Sequence, residues 1–523
     1  MHDRIDQQAL LNFLSQPASF EDGDAVEIRQ THISIVALTG THVYKVKKPL
    51  NLGFLDFSSL EKRRAACEAE VRLNRRLSQD VYLGVLPLSC SEGGLRFGGD
   101  GKVVDYAVQM RQLPEEGFLS WRLAHNPLSA SELGDLVKKL RDFYRQQTSS
   151  PEIANWGGID KLRLTTNENF AQIEKFVGDL ISRPAFDALG YFTELNYEKR
   201  RGLFERRCAE GRILDCHGDL RCEHVHFTGV HINVIDCIEF NERFRYIDVA
   251  NDIAFLGMDF DLRGHGPRGN TLVENLADAL EDRELLELLD FYKCYRACVR
   301  GKVSALKSNE PEVGKEDRNL SRQKAVRFFQ HALRYTISGS QPFLLVVMGR
   351  VGTGKSSLAQ SLAEALGTAV FSSDKIRKEL AEVPLYERGD AAMRARLYSE
   401  EMTWRTYHEM LNRAVATASM DGAAVVDATF GRRSQRDLLR QVTGLRCLQV
   451  ELDASDQEIK RRLQKRTDGS EISDARLGDF EILNVTYEPP NPTERSEMII
   501  IRSEGMLESR TGKVLRRLIR IGE

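Results

Sequence analysis

The sequence predicts an α/β fold for the last third of the chain, a parallel sheet with helices on both faces. Before it lies an α+β region, a small β-rich lobe followed by a larger helical one. Three observations carry this reading. Strand-length apolar runs alternate with helical segments after Pro342, the order that builds a parallel sheet. A hairpin, a charged helix and further strands open the chain, and the pattern then turns mainly helical. At 523 residues the chain exceeds one ordinary domain.

Taken in order, THISIVAL and THVYKVKK read as a hairpin joined near Thr39 and Gly40. A charged helix spans about Leu60–Leu77, strands lie near Gly94–Met110, and a strand-rich patch at Ile213–Phe240 interrupts the helical lobe. The polar stretch Lys307–Asp317, a helix from Arg322 to about Tyr335 and the breaker Ser338–Pro342 lead into FLLVVM, a buried parallel strand by length and branching. The domains are therefore drawn as 1–337, 338–505 and a basic tail, 506–523. Within the second come a helix at about Lys355–Leu366, the strand TAVF and a helix opening near Asp374. A long helix over about Tyr398–Met420, the strand AAVVD and a helix around Gln435–Val442 follow. CLQVEL, a helix around Gln457–Arg466 and MIIIR complete the set.

Hydrophobic residues make up 41% and charged residues 29%, the composition of a globular protein with real cores. The formal net charge of -3 gives no global basic field for nucleic acid or anionic lipid. The first residues, MHDRIDQQALLNFL, hold acids and no signal-peptide core, and no run approaches the roughly 20 apolar residues of a spanning helix. A cytoplasmic protein without a membrane partner is the expectation. Nine scattered cysteines fit reduced core thiols. Cys216, His217, Cys222, His224 and His226 crowd one segment, and zinc ligation is the disfavoured account of them.

Gly349-Arg-Val-Gly-Thr-Gly354-Lys355-Ser356 matches GxxxxGK[ST] between a predicted strand and a predicted helix, the context that marks a P-loop. Backbone N–H groups over Gly349, Gly352, Thr353 and Gly354, with Ser357 beyond, are expected to wrap the phosphates of ATP. Lys355 would reach the β- and γ-phosphates and the Ser356 hydroxyl would ligate Mg2+. Asp427 ends AAVVD, the place for a carboxylate that orients the Mg2+ waters. Asp374 reads either as a helix N-cap or as general base on an acceptor hydroxyl, with Arg377 holding an anionic group and Lys378 beside it among the substrate contacts. Arg432, Arg433 and Arg436 are either substrate contacts or solvated helix charges. Arg462 and Arg466 would serve as lid arginines on the transferring phosphate.

GRVGTGKSS, SSDKIRKEL, VVDATF and the Arg462/Arg466 pair together resemble the P-loop kinases of the zeta-toxin, polynucleotide-kinase and gluconate-kinase type, over about residues 342–505. The resemblance implies that Asp374 activates the acceptor hydroxyl. Acceptors in those families range from sugars to nucleotides, RNA ends and antibiotics.

Upstream, Lys45 on a strand, Glu70 on the following helix, His217-Gly-Asp219 and strand-borne Asp236 occur in the order of protein-kinase-like parts. Lys47 and Glu68 are rival assignments on the same respective faces. Residues 25–300 resemble the aminoglycoside phosphotransferase-like branch of the bilobal protein-kinase-like fold. The resemblance implies that Lys45 holds the α/β-phosphates, Glu70 pairs with it, Asp219 is the base and Asp236 a metal ligand. Asp248 and Asp252 would be structural acids. His224 stands where the family's metal-binding asparagine is expected, and imidazole suits Mg2+ poorly.

The whole chain looks like bacterial two-domain proteins that fuse the two parts. This implies an ATP- and Mg2+-dependent phosphotransferase acting on a hydroxyl of a small molecule, a sugar, nucleoside or antibiotic, with two sites that would make it bifunctional. One alternative is a regulatory ATPase whose N-terminal domain is a ligand-binding pseudokinase. Another is a kinase for RNA or a nucleotide-sugar that uses Lys513–Arg520. The apolar residues of that stretch fall at helical spacing, so a docked amphipathic helix is preferred.

Overall fold

The computed structural model describes residues 6–21, 25–229, 231–311, 313–387, 389–442, 444–465 and 476–519. The chain divides into two compact units, Met1–Leu162 with Gly202–Leu289, and Arg163–Arg201 with Asp290–Glu523.

The first unit is built on a six-stranded antiparallel sheet. Its strands are β1 (Glu27–Gln30), β2 (Ser34–Leu38), β3 (His42–Lys47), β4 (Tyr82–Ser91), β5 (Gly94–Phe97) and β6 (Lys102–Arg111), in the order β1-β2-β3-β6-β4-β5. The anticipated hairpin is β2–β3, with Leu38 opposite Val43 and Gly40 in the left-handed region at φ 93°. Alternation along β3 sends Tyr44 and Val46 to a core with Leu10, Leu14 and Ala37. Lys45 and Lys47 consequently face the helix Leu60–Asn74, whose start is capped by Ser59. That helix buries Cys67, Glu70, Val71 and Asn74, spaced by three and four. Strand β4 was not anticipated, because Gly84 and Pro87 disguise it. Pro87 lies where β5 has already ended, an edge position that tolerates a missing N–H.

The rest of this unit carries β7 (Ile213–Asp215) paired with β10 (Tyr246–Asp248), and β8 (Val225–Thr228) paired with β9 (His231–Val234). Beneath them the helix Val249–Leu262 is buried on nearly every side.

The second unit holds a five-stranded sheet, every pair parallel, in the order β12-β13-β11-β14-β15. The strands are β11 (Phe343–Met348), β12 (Val370–Ser372), β13 (Ala423–Asp427), β14 (Arg446–Asp453) and β15 (Met498–Arg502). All six residues of β11 are buried, as a central strand covered on both faces requires. The helix Glu400–Asp421 lays Tyr407, Met410, Leu411, Ala414 and Ala418 against one face of β11 and β13.

The boundary expected near residue 338 falls inside this unit. The helix Lys315–Ser338 belongs with the P-loop side, because Arg334 donates to Leu366 O and Gly367 O at 2.7 Å each. Those bonds satisfy carbonyls left open at the end of the helix Lys355–Leu366. The C-terminal stretch is also no separate tail. It forms the helix Leu507–Leu518, buries Val514, Leu515 and Leu518, and sets Arg516 over Tyr191 at 4.3 Å. Among the described residues no helix is long and apolar enough to cross a membrane.

Leu344 is fully buried in the cluster that Trp404 borders. Leu344→Ala should lower the stability of this unit by about 3 kcal/mol, read from Trp404 fluorescence in urea with Trp121 and Trp156 replaced by Phe. Met420→Ala, at a residue 78% exposed, should stay within about 0.5 kcal/mol. Equal effects would contradict this account of the core.

Candidate active site

The loop after β11 turns on glycines for steric reasons. Gly349 sits at φ 135°, and a Cβ there would run into the Leu452 carbonyl. Gly354, at φ 91°, is the N-cap of the helix that Lys355 opens, so N–H groups and the helix N-terminus converge on one hollow. Lys355 Nζ donates to Arg350 O at 3.0 Å, across the span a phosphate would fill. The Thr353 hydroxyl donates to the same carbonyl at 2.8 Å. Arg350 donates to Asn484 Oδ1 at 2.9 Å.

Parallel register sets Asp427 abreast of Val347 on β11 and Ser372 on β12, so its carboxylate stands at the carboxyl edge of three strands. The Ser356 hydroxyl hydrogen-bonds to it. Burial pushes the Asp427 carboxyl above its ordinary range, against the opposing pull of Lys355 and Ser356. A hydroxyl and a carboxylate beside a phosphate loop are hard oxygen donors, and they fit Mg2+.

Asp374 opens the helix Ser373–Leu380 at the end of β12. Arg377, one turn on, donates to Asp374 Oδ1 at 3.1 Å and stacks on Tyr398 at 4.6 Å. These residues line a cavity of about 890 Å3 together with Lys355, Ser356 and Asp427. Arg432 lines it too, and so do Arg394 and Tyr398, which sequence reading missed. No motif marks those two: Arg394 comes from an otherwise unremarked stretch, and Tyr398 from the expected start of the long helix, which the structure begins at Glu400.

Other basic residues have structural work. Lys378 is 2% exposed and donates to Leu385 O and Glu387 O at 3.0 Å each, so it fixes a loop rather than a substrate. Arg436 is buried against Glu494 at 2.8 Å and donates to Phe430 O and Glu488 O at 3.0 and 2.9 Å. It thereby holds Phe430, whose backbone adopts φ 46° and whose N–H bonds the Tyr407 hydroxyl at 3.1 Å. The Arg433 N–H donates to Glu488 at 2.8 Å. Arg462 braces the phosphate loop from outside, donating to Thr353 O at 2.6 Å and Ser503 O at 2.9 Å. Arg466 lies outside the described residues.

The first unit has its own charged cleft. Glu70 takes Lys45 at 2.8 Å and Lys47 at 2.7 Å, while Glu68 pairs with Arg64 on the exposed side of the helix. Lys45 also donates to Asp236 at 2.7 Å, and Lys47 pairs with Glu239. Desolvation in the cleft raises the Asp236 carboxyl, but Lys45 and then His224 outweigh it and hold it well below the usual range. Asp236 adopts φ 62° at the end of its segment, with its N–H on the Tyr82 hydroxyl at 3.0 Å. Asp252 accepts from the N–H groups of His217 and Gly218 at 2.9 Å each, and Asp248 accepts from Arg207 at 2.7 Å.

Donor atoms of Asp219, His224 and Asp236 all lie within 4.8 Å of one another. They do not fit a hard divalent ion shared by all three. Arg221 donates to both Asp219 oxygens at 2.9 Å and to His224 Nε2 at 3.1 Å. His224 Nδ1 donates to Asp219 O at 2.8 Å, which leaves Nε2 as the acceptor that Arg221 occupies. His224, expected among the Mg2+ ligands, has Nε2 engaged by Arg221 and Nδ1 by Asp219 O in this structure.

A phosphate loop between a buried parallel strand and a helix, with a carboxylate on the neighbouring strand, defines a P-loop nucleotide-binding domain of the kinase and ATPase type. Residues 344–490 match the AAA domain family model. Uncharacterized proteins of Mycobacterium tuberculosis (strain H37Rv) and Mycobacterium bovis are each 28% identical to this chain over 427 residues, 80% of this chain and 82% of theirs. Among solved structures, a gluconokinase from Sinorhizobium meliloti 1021 is 23% identical, covering 34% of this chain and 94% of its own, with a TM-score of 0.25. A shikimate kinase from Acinetobacter baumannii in complex with shikimate is 17% identical, covering 34% and 93%, with a TM-score of 0.27. Kti12 from Chaetomium thermophilum in complex with ADP-AlF3 is 15% identical, covering 34% and 99%, with a TM-score of 0.26.

His217 Nε2 donates to Ile235 O at 2.9 Å while Nδ1 accepts from the Asp219 N–H at 3.3 Å, so the neutral ring is satisfied on both sides. Burial lowers its pKa from 6.5 to about 4, outweighing the pull of Asp252. The unfolded chain takes up this proton below about 6.5 and the folded chain only near 4. Stability is thus full above 6.5 and falls as pH drops towards 4, by up to about 3 kcal/mol. His217→Gln should flatten that loss in urea titrations at pH 7, 5.5 and 4.5; an unchanged slope would refute the assignment.

Proposed function

We propose that the second unit transfers the γ-phosphate of ATP to a hydroxyl of a small molecule. The observation that carries this reading is the placement of Asp374, bonded to Arg377, on the wall of the cavity that also holds Lys355, Ser356 and Asp427. A carboxylate one strand away from the metal-side acid is placed to act as a general base on a nucleophile's proton. In this reading Lys355 leaves Arg350 O for the β- and γ-phosphates, and loop N–H groups hold the remaining oxygens. Ser356 and Asp427 would hold Mg2+ beside the phosphates, and the ion would supply charge neutralisation there. Asp374 takes the proton from the acceptor hydroxyl. That oxygen bonds the γ-phosphorus as the bond to the β,γ-bridging oxygen breaks, giving ADP and a phosphoester.

The first unit supports a second reading, an aminoglycoside phosphotransferase-like, bilobal kinase-like module that binds nucleotide without transferring phosphate. Lys45 between Glu70 and Asp236 is arranged to meet a polyphosphate. Asp219, however, has both oxygens taken by Arg221, which disfavours it as a base. A soluble, cytoplasmic protein with ATP and Mg2+ as its cofactors is consistent with both readings.

Lys355→Ala should lower ATP turnover at least about 100-fold, and Asp374→Asn should lower transfer about 100- to 10,000-fold while ATP hydrolysis to water persists. Transfer that survives Asp374→Asn undiminished would exclude this residue as the base. Asp219→Ala should leave turnover intact; loss of half of it would sink the binding-only reading of the first unit.

A further inference from the structure

The helix Ser373–Leu380 carries Asp374, Arg377 and Lys378 in little more than one turn, and each of its two buried cations braces a tyrosine of the cavity wall. Arg377 stacks on Tyr398 at 4.6 Å while it bonds Asp374. Lys378 holds the strap that follows its own helix. Its carbonyl accepts from the Val383 N–H at 2.9 Å, and its ammonium donates to Leu385 O and Glu387 O at 3.0 Å each. Tyr386 lies between those two carbonyls, so its backbone is fixed on both sides.

Both tyrosines line the cavity that also holds Asp374 and Lys355, yet Tyr386 is 62% exposed and Tyr398 44%. Taking the Lys378 ammonium out of water costs free energy, and the strap it fixes leaves its largest side chain in solvent. Such an arrangement shapes a binding wall rather than a core. A tyrosine whose backbone is held in place offers a flat apolar face with few rotatable bonds, the surface on which a planar ring stacks.

We propose that the phosphate acceptor is a hydroxy compound carrying a flat aromatic ring, which packs against Tyr386 and Tyr398 while its hydroxyl is directed at Asp374. This rests on the transferase reading of the same site and adds the chemical class of the acceptor. Tyr386 and Tyr398 set specificity by contact, and Lys378 is a positioning residue that acts through Tyr386. Because Arg377 ties Tyr398 to Asp374, a ring seated on that tyrosine brings its hydroxyl close to the base. A nucleobase and a simple aryl group share this chemistry, and an open-chain polyol offers no such face.

The test uses the full chain with labelled ATP, Mg2+ and matched acceptors. Adenosine and uridine are set against methyl ribofuranoside, phenylethanol against cyclohexylethanol, and gluconate serves as the ring-free control. Aromatic members should show a kcat/KM at least about fivefold above their aliphatic partners, and the nucleoside and aryl arms separate the two sources of the ring. Tyr386→Ala and Tyr398→Ala should each raise the acceptor KM at least about fivefold, and the Tyr→Phe change at either position should restore it. Lys378→Met should lower the ratio of aromatic to aliphatic kcat/KM, where a merely structural loss would lower both alike. Binding of the non-hydrolysable analogue AMP-PNP reports that each variant is folded. Aliphatic members used as well as aromatic ones, or alanine variants that keep the wild-type KM, would overturn the proposal. No transfer to any aromatic member would overturn it too, and transfer to gluconate would then show that the transferase reading stands without it. Failure of AMP-PNP to bind the wild-type chain would overturn that reading, and this inference with it.

Discussion

Burial of the Asp427 carboxylate at the end of an apolar strand is the constraint around which the second unit is arranged. A charge 4% exposed must be compensated, and the compensation comes from the loop that begins one strand away. Ser356 and Lys355 reach it only because β11 and β13 are parallel and in register, with Val347 abreast of Asp427. The register is in turn held by wholly buried side chains on both strands. Core packing and the chemistry of the site are thus one problem: shifting either strand by a residue would bury a different side chain and move the carboxylate off the phosphate loop.

Both units place a strained residue beside their charges and hold it in the same way. Asp236 and Phe430 are non-glycine residues with positive φ, conformations that cost of order 1–3 kcal/mol. Each gives its N–H to a tyrosine hydroxyl, Tyr82 in one case and Tyr407 in the other. Burial raises both phenols, Tyr407 to about 12, so each is neutral at ordinary pH. The backbone bends where it must aim a group at the cleft, and a buried phenol from a distant segment keeps it bent.

Arginine separates the two clefts. In the second unit, Arg377 touches its aspartate through a single bond and keeps an unmet donor. In the first, Arg221 grips both oxygens of Asp219 and the free nitrogen of His224. One carboxylate keeps an oxygen outside its arginine contact, and the other is tied up by a fixed cation.

Much of this was legible in the sequence, and the reason is local. The phosphate loop, the parallel strands and the helix Lys355–Leu366 follow from glycine geometry and apolar periodicity, which neighbouring residues determine. The choice of Glu70 over Glu68 did not, because both lie on one helix and only the sheet beneath decides which is buried with Lys45. Lys378 read as a substrate contact, Arg436 as a substrate contact or a solvated charge, and Arg462 as a lid arginine, because a cation in sequence shows its charge and not its partners. Arg436 meets Glu494, 58 residues away, and Arg462 meets Thr353 O, 109 residues away, partners that folding supplies. Arg221 carried no motif in the sequence, yet it donates to both Asp219 oxygens and to His224 Nε2. Sequence determined which groups the protein owns and where the chain can turn; tertiary structure decided which charges are already spoken for, since hydrogen bonds and burial depend on distance in space.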